Sequence, residues 1–116
     1  MTKQLINIVI LKENGCIEEK LIDMDEDKNE LGLYLNDKLS FVGQIIREDN
    51  QPKKTNIIII KSLNNKNKNI NKCNLPSPFN EEVIYGDIIL LPMNENIEPE
   101  NIYIQEYYDL FNNNIK

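Results

Sequence analysis

The sequence has no histidine, only two cysteines and four glycines in 116 residues, and no apolar run near the ~18 residues a membrane-spanning helix needs. Each scarcity excludes something. Without histidine, the commonest general base and the commonest metal ligand are both missing. Cys16 and Cys73 stand far apart, form no C-x-x-C pair and have no imidazole to complete a zinc site, so both are expected as reduced thiols in a reducing, intracellular setting. Gly15, Gly32, Gly43 and Gly86 are scattered, and neither G-x-G-x-x-G nor G-x-x-x-x-G-K occurs to cradle a phosphate. The early apolar segment from Leu5 to Leu11 is too short for a secretory signal, is broken by Asn7 and lacks a small-residue cleavage site. It reads as a first strand.

What is present reads as an α+β fold. Residues 4–11 and 17–23 flank Glu13-Asn14-Gly15-Cys16, and Asn-Gly supplies the positive φ angles of a tight hairpin. The first strand, apolar on both faces except at Asn7, should be central. The acidic run Asp23-Met24-Asp25-Glu26-Asp27 suits a helix N-terminus, and Leu31, Tyr34, Leu35 and Leu39 recur at helical spacing, so a helix is expected over 27–38. Strands are expected at 41–47, at 55–63 with its β-branched Ile57-Ile58-Ile59-Ile60, and at 83–91 with a bulge or close approach at Gly86 and a stop at Pro92. Ile104, Tyr107, Tyr108 and Phe111 form a stripe that should dock a C-terminal helix on the sheet, with Ile102-Tyr103-Ile104 as an alternative short strand before it. The expectation is one domain, 1–116: a single, mostly antiparallel five-stranded sheet with two helices in the order ββαβββα, opening in the manner of a β-grasp. A mobile basic Asn/Lys loop is expected at 64–74.

No constellation for chemistry emerges. Asp23-x-Asp25-x-Asp27 begins like a calcium loop, but Lys28 stands where that loop needs glycine and Tyr34 where it needs glutamate. Cys16 beside a turn glycine reads as a small turn residue, and nothing singles out one carboxylate pair among many. The expectation is therefore no catalytic, cofactor or metal site.

Charge and aromatic placement say more. The chain carries a net −6, which opposes general affinity for nucleic acid, yet residues 51–74 hold Lys53, Lys54, Lys61, Lys66, Lys68 and Lys72 and no acid. Lys53, Lys54, Lys66, Lys68 and Lys72 are the candidates for contacting phosphate or an acidic partner, although no aromatic in that segment could stack a base. Tyr103, Tyr107, Tyr108 and Phe111 are the candidates for contacting a protein partner, since one of two adjacent tyrosines must point away from the core. Thr55–Leu63 is a further candidate, because an unpaired edge of this composition would recruit a strand from a second copy.

Several short stretches come in a familiar order. Ile6 to Gly15, the helix with Glu30-Leu31 and Tyr34, Leu75-Pro76-Ser77-Pro78-Phe79, Tyr85-Gly86-Asp87-Ile88-Ile89-Leu90 and Gln105-Glu106-Tyr107-Tyr108-Asp109-Leu110-Phe111 together resemble a family of short uncharacterised proteins encoded by giant nucleocytoplasmic DNA viruses. The resemblance spans nearly the whole chain. It implies a viral setting, host cytoplasm or virion, and no activity or functional residue. The function expected is a non-enzymatic interaction module, an adaptor or assembly subunit, with no membrane association. The alternatives are weak nucleic-acid association through 51–74, and a small ligand-binding protein or enzyme.

Overall fold

In the computed structural model, residues 5–25, 28–36, 38–47, 55–64, 66–75 and 79–112 are described, with the side chains of Arg47 and of residues 110–112 excepted. The chain runs β1 (Leu5–Leu11), β2 (Ile17–Asp23), α1 (Glu30–Leu35), β3 (Leu39–Arg47), β4 (Thr55–Ser62), a 3-10 turn at Phe79–Glu81, β5 (Ile88–Asn94) and α2 (Ile104–Asn112). The five strands form one antiparallel sheet in the order β2-β1-β5-β4-β3. This is the α+β architecture and element order expected from the sequence.

The first hairpin is closed by a turn in which Gly15 N–H donates to Lys12 carbonyl at 2.9 Å, and the Asn14 side chain accepts from Cys16 N–H. Only Gly15 takes a positive φ there, 99°, so the connection is the longer kind with a glycine bulge rather than a two-residue turn. From β2 the chain crosses by α1 to the far edge, lays down β3 and β4, and returns with β5 into the gap between β4 and β1.

Strand alternation divides the apolar residues between the two faces of the sheet. On the first face Val9, Leu11, Ile57, Ile59, Ile88 and Leu90 pack with Leu75, Ile84, Ile102 and Tyr107 from the covering chain. On the second, Ile6, Ile8, Ile10, Ile22, Ile60, Ile89 and Leu91 pack with Leu31 of α1. β1, β4 and β5 are therefore buried on both sides.

Several features differ from the sequence reading, each for a physical reason. α1 is only six residues, because Asn29 and Asn36 at its ends both take the left-handed conformation, φ 47° and 54°. The acidic run does not cap it. Asp23 instead ends β2, buried, where it accepts from Asp25 N–H and Lys28 Nζ at 3.0 and 2.9 Å; residues 26 and 27 lie outside the described ones. β5 starts at Ile88 and continues through Pro92 to Asn94. Pro92 is tolerated because its carbonyl accepts from Glu100 N–H, so its missing N–H faces the side where pairing with β1 has already ended. Finally, β4 is paired along its length on both sides, so Thr55–Leu63 is no edge.

The segment after β4 forms no helix or long strand, yet backbone groups tie it to the body. Asn71 N–H donates to Ile84 carbonyl, Gly86 N–H to Asn69 carbonyl and Lys72 N–H to Glu13 carbonyl. The Asn71 side-chain amide spans the carbonyls of Leu11 and Gly86, 2.8 Å from each.

Candidate functional site

The sequence-derived candidates divide on burial. Tyr107 is buried on the first face, with its hydroxyl donating to Asn74 carbonyl at 2.9 Å, and burial raises its pKa above the ordinary tyrosine value. Tyr108 packs edge-on against it and is exposed, as is Tyr103. Phe111 belongs to α2, with its side chain outside the described ones. The helix is anchored from another element, for Glu19 of β2 accepts from Ile104 N–H at 2.7 Å, a carboxylate at the positive end of the helix.

Lys53 and Lys54 lie outside the described residues. Lys66 and Lys72 are exposed and Lys68 is half-buried. Two of the three lie against the first hairpin or the entry to β5. Lys68 lies over Gly86, next to Asp87, and Lys72 lies against Gly15 while its N–H holds the carbonyl of Glu13. The acid missing from the segment in sequence is supplied beside it in space.

That junction is a polar cleft of about 380 Å³ lined by Lys12, Glu13, Asn14, Tyr34, Lys68 and Asp87, among others. Asp87 organises it. One carboxylate oxygen accepts from Glu13 N–H and the other from the Tyr34 hydroxyl, both at 2.9 Å. Lys12 Nζ donates to the same hydroxyl at 3.2 Å and lies 3.6 Å from both Asp87 and Glu18. Lys12 and Lys20 also sit over the Tyr34 ring at 5.6 and 5.8 Å. The Tyr34 hydroxyl, then Asp87 and Glu18, hold Lys12 charged well above the usual lysine range; burial raises Tyr34. Both groups are thereby moved away from neutrality, where a general acid or base is most effective. The network clamps the first hairpin, α1 and the start of β5. Its one signal in the sequence is Tyr85-Gly86-Asp87, a strand entry where a positive-φ glycine precedes an acid.

Sequence reasoning missed the second feature, the outer edge of β3. Among the described residues no strand pairs with it. Leu39 to Ile46 carries no charged residue, and Leu39, Phe41 and Ile46 are all exposed, Phe41 at 63% and Ile46 at 66%. A bulge sits between Phe41 and Gly43. The Phe79 ring lies across Gly43, close enough that any Cβ there would overlap it, which fixes glycine at the bulge. Edge strands are usually protected by charge, and this one is not. Among the described residues no group of three or more acids and cysteines is placed to hold a metal ion, and no helix is long and apolar enough to cross a membrane.

Fold and site together define a small antiparallel α+β module with one clamped polar end and one open apolar edge. By sequence, the chain belongs to the family of unknown function DUF5880, whose pattern it matches over residues 9–110. No curated protein and no solved structure matches it.

Proposed function

We propose that this chain is a non-enzymatic protein-interaction module, an adaptor or assembly subunit, which engages a protein partner through the outer edge of β3. The observation that carries the proposal is that edge, uncharged from Leu39 to Ile46, with Leu39, Phe41 and Ile46 exposed along it. Exposed backbone donors and acceptors give such an edge affinity for an added strand, and the apolar side chains give it selectivity. The resemblance to giant-virus proteins makes the infected-cell cytoplasm or the virion the proposed setting. The cleft supports the non-enzymatic part of the reading, since Lys12 and Tyr34 are bound to each other and to Asp87 as a clamp. A nucleic-acid role has weaker support, because Glu13 and Asp87 line the same cleft as Lys68, one of the lysines that would contact phosphate.

The test is a photoreactive residue in place of exposed Gln44, at the centre of the edge, in the full chain expressed in its native host. Adducts with a defined protein that disappear when Ile46→Lys is added support the reading. Adducts that persist unchanged, or arise equally from a photoreactive residue at Leu21 on β2, overturn it.

A further inference from the structure

We infer that the strand added to β3 is β3 of a second copy, paired antiparallel about a two-fold axis between Val42 and Gly43. This rests on the interaction reading above and names its partner. The register with β4 assigns the faces of β3. Leu39, Phe41, Gln44 and Ile46 oppose Ser62, Ile60, Ile58 and Asn56 and share the second face; Ser40, Gly43 and Ile45 oppose Lys61, Ile59 and Ile57 and share the first. Val42, the extra residue of the bulge, also packs against the first-face core. The bulge therefore reverses the alternation halfway along the strand.

A regular strand opposite this edge must leave one β3 residue unopposed, as β4 leaves Val42. A second copy carries the same reversal. In one antiparallel register Leu39 opposes Ile46, Ser40 opposes Ile45, Phe41 opposes Gln44 and Val42 opposes Gly43, and every pair lies on one face with no residue left over. That register sets Leu39 and Ile46, both exposed, against one another twice and Phe41 against Gln44 twice. The product is a continuous sheet in which each five-stranded half keeps α1 on the same side. β2 cannot substitute for β3, because Glu18, Glu19 and Lys20 lie along it.

Analytical ultracentrifugation of the full chain under reducing conditions tests the inference. A reversible dimer is expected. It should strengthen with salt, since the net charge is −6 and the register sets the Lys38 and Arg47 positions opposite one another at its ends. Ile46→Lys and Phe41→Lys should each raise the dissociation constant about tenfold or more, since symmetry places each change in the interface twice. Both positions are exposed, so circular dichroism should be unchanged, and Leu21→Lys on the other edge should leave the dimer intact. Mild oxidation of mixed F41C and Q44C chains should bridge position 41 to position 44, read by mass mapping; 41–41 or 44–44 bridges overturn the register. A wild-type chain that stays monomeric at every concentration overturns the self-pairing, as does a dimer that Ile46→Lys does not weaken. If the chain is monomeric yet the Gln44 probe still captures a distinct protein in an Ile46-dependent way, the interaction reading stands and only the second copy falls. If neither occurs, both fall.

Discussion

At one end of the sheet β2 meets solvent with Glu18, Glu19 and Lys20; at the other, β3 meets it with Leu39, Phe41 and Ile46. The charges on β2 also work inward. Glu18 lies near Lys12, Glu19 caps α2, and Lys20 sits over Tyr34. Among the described residues, none of the exposed apolar side chains on β3 makes a charge or capping contact of that kind. A charged edge that also anchors a helix and a clamp is committed to its own fold. An edge that is uncharged from Leu39 to Ile46 shows no such commitment among the described residues.

The largest expected effect separates the two ends by stability. Tyr107 is buried on the β2 side, so Tyr107→Ala should cost about 3–5 kcal/mol by urea or thermal unfolding. Phe41→Ala on β3, measured where the chain is monomeric, should change stability by no more than about 0.5 kcal/mol. A Phe41 cost approaching that of Tyr107 would mean that β3 is structurally committed after all.

Alkaline pH should act on the same asymmetry. Lys12, Tyr34, Cys73 and Tyr107 all have raised pKa values, through the Tyr34 hydroxyl for Lys12 and through burial for the other three. Each holds its proton more tightly folded than unfolded, so the folded chain carries more protons in that window and stability falls as pH rises. The contributions are complete below about pH 9 and are lost upward from the ordinary values of 9.0 for Cys73, 10.0 for the tyrosines and 10.5 for Lys12. All four groups cluster around the first hairpin, α1 and α2. Urea midpoints between pH 8 and 11 should fall, and amides of β1, β2 and α2 should lose protection before those of β3 and β4.

How far the sequence could be read follows from which signals are local. The α+β class and element order depend on alternation and turn residues, which any short window contains. The two-sided burial of β1 and β4 was legible for the same reason, as was the burial of only one of Tyr107 and Tyr108. Edge position was not, because it depends on β5 inserting between β1 and β4, and nothing in Thr55–Leu63 encodes that neighbour. Several asparagines, outside the 64–74 loop and within it, are tools of the fold. Asn7 and Asn71 donate to backbone carbonyls across the structure, and Asn29, Asn36 and Asn67 take left-handed conformations that most residues avoid. The polar cleft joins residues 12, 34 and 87, a separation no spacing rule covers.

A smaller effect tests whether β2 is committed through its charges. Glu19→Ala removes the carboxylate at the N-terminus of α2 and should cost about 1 kcal/mol, the scale of a lost helix cap, while Glu19→Gln should retain part of it. Faster amide exchange confined to the first turn of α2 would locate the loss.

The smallest effect is kinetic and concerns the two thiols. Cys16 is exposed at the end of the hairpin loop, whereas Cys73 is half-buried, with its sulfur donating to Lys12 carbonyl at 3.4 Å and lying 3.9 Å from Cys16 carbonyl. Burial raises the Cys73 pKa, with the neighbouring Cys16 and Asp87 acting in the same direction, so less of its reactive thiolate is present at a given pH. Alkylation near pH 8 should therefore label Cys16 first and Cys73 more slowly, since Cys73 is half-buried and the thiolate is the reactive form. Because Cys73 lies against the first hairpin, its labelling rate also reports how firmly that end is closed. Addition of Tyr107→Ala should accelerate Cys73, and Ile46→Lys should not. Acceleration by Ile46→Lys would mean that the two ends of the sheet are mechanically coupled and that the β3 edge is not independent of the fold it borders.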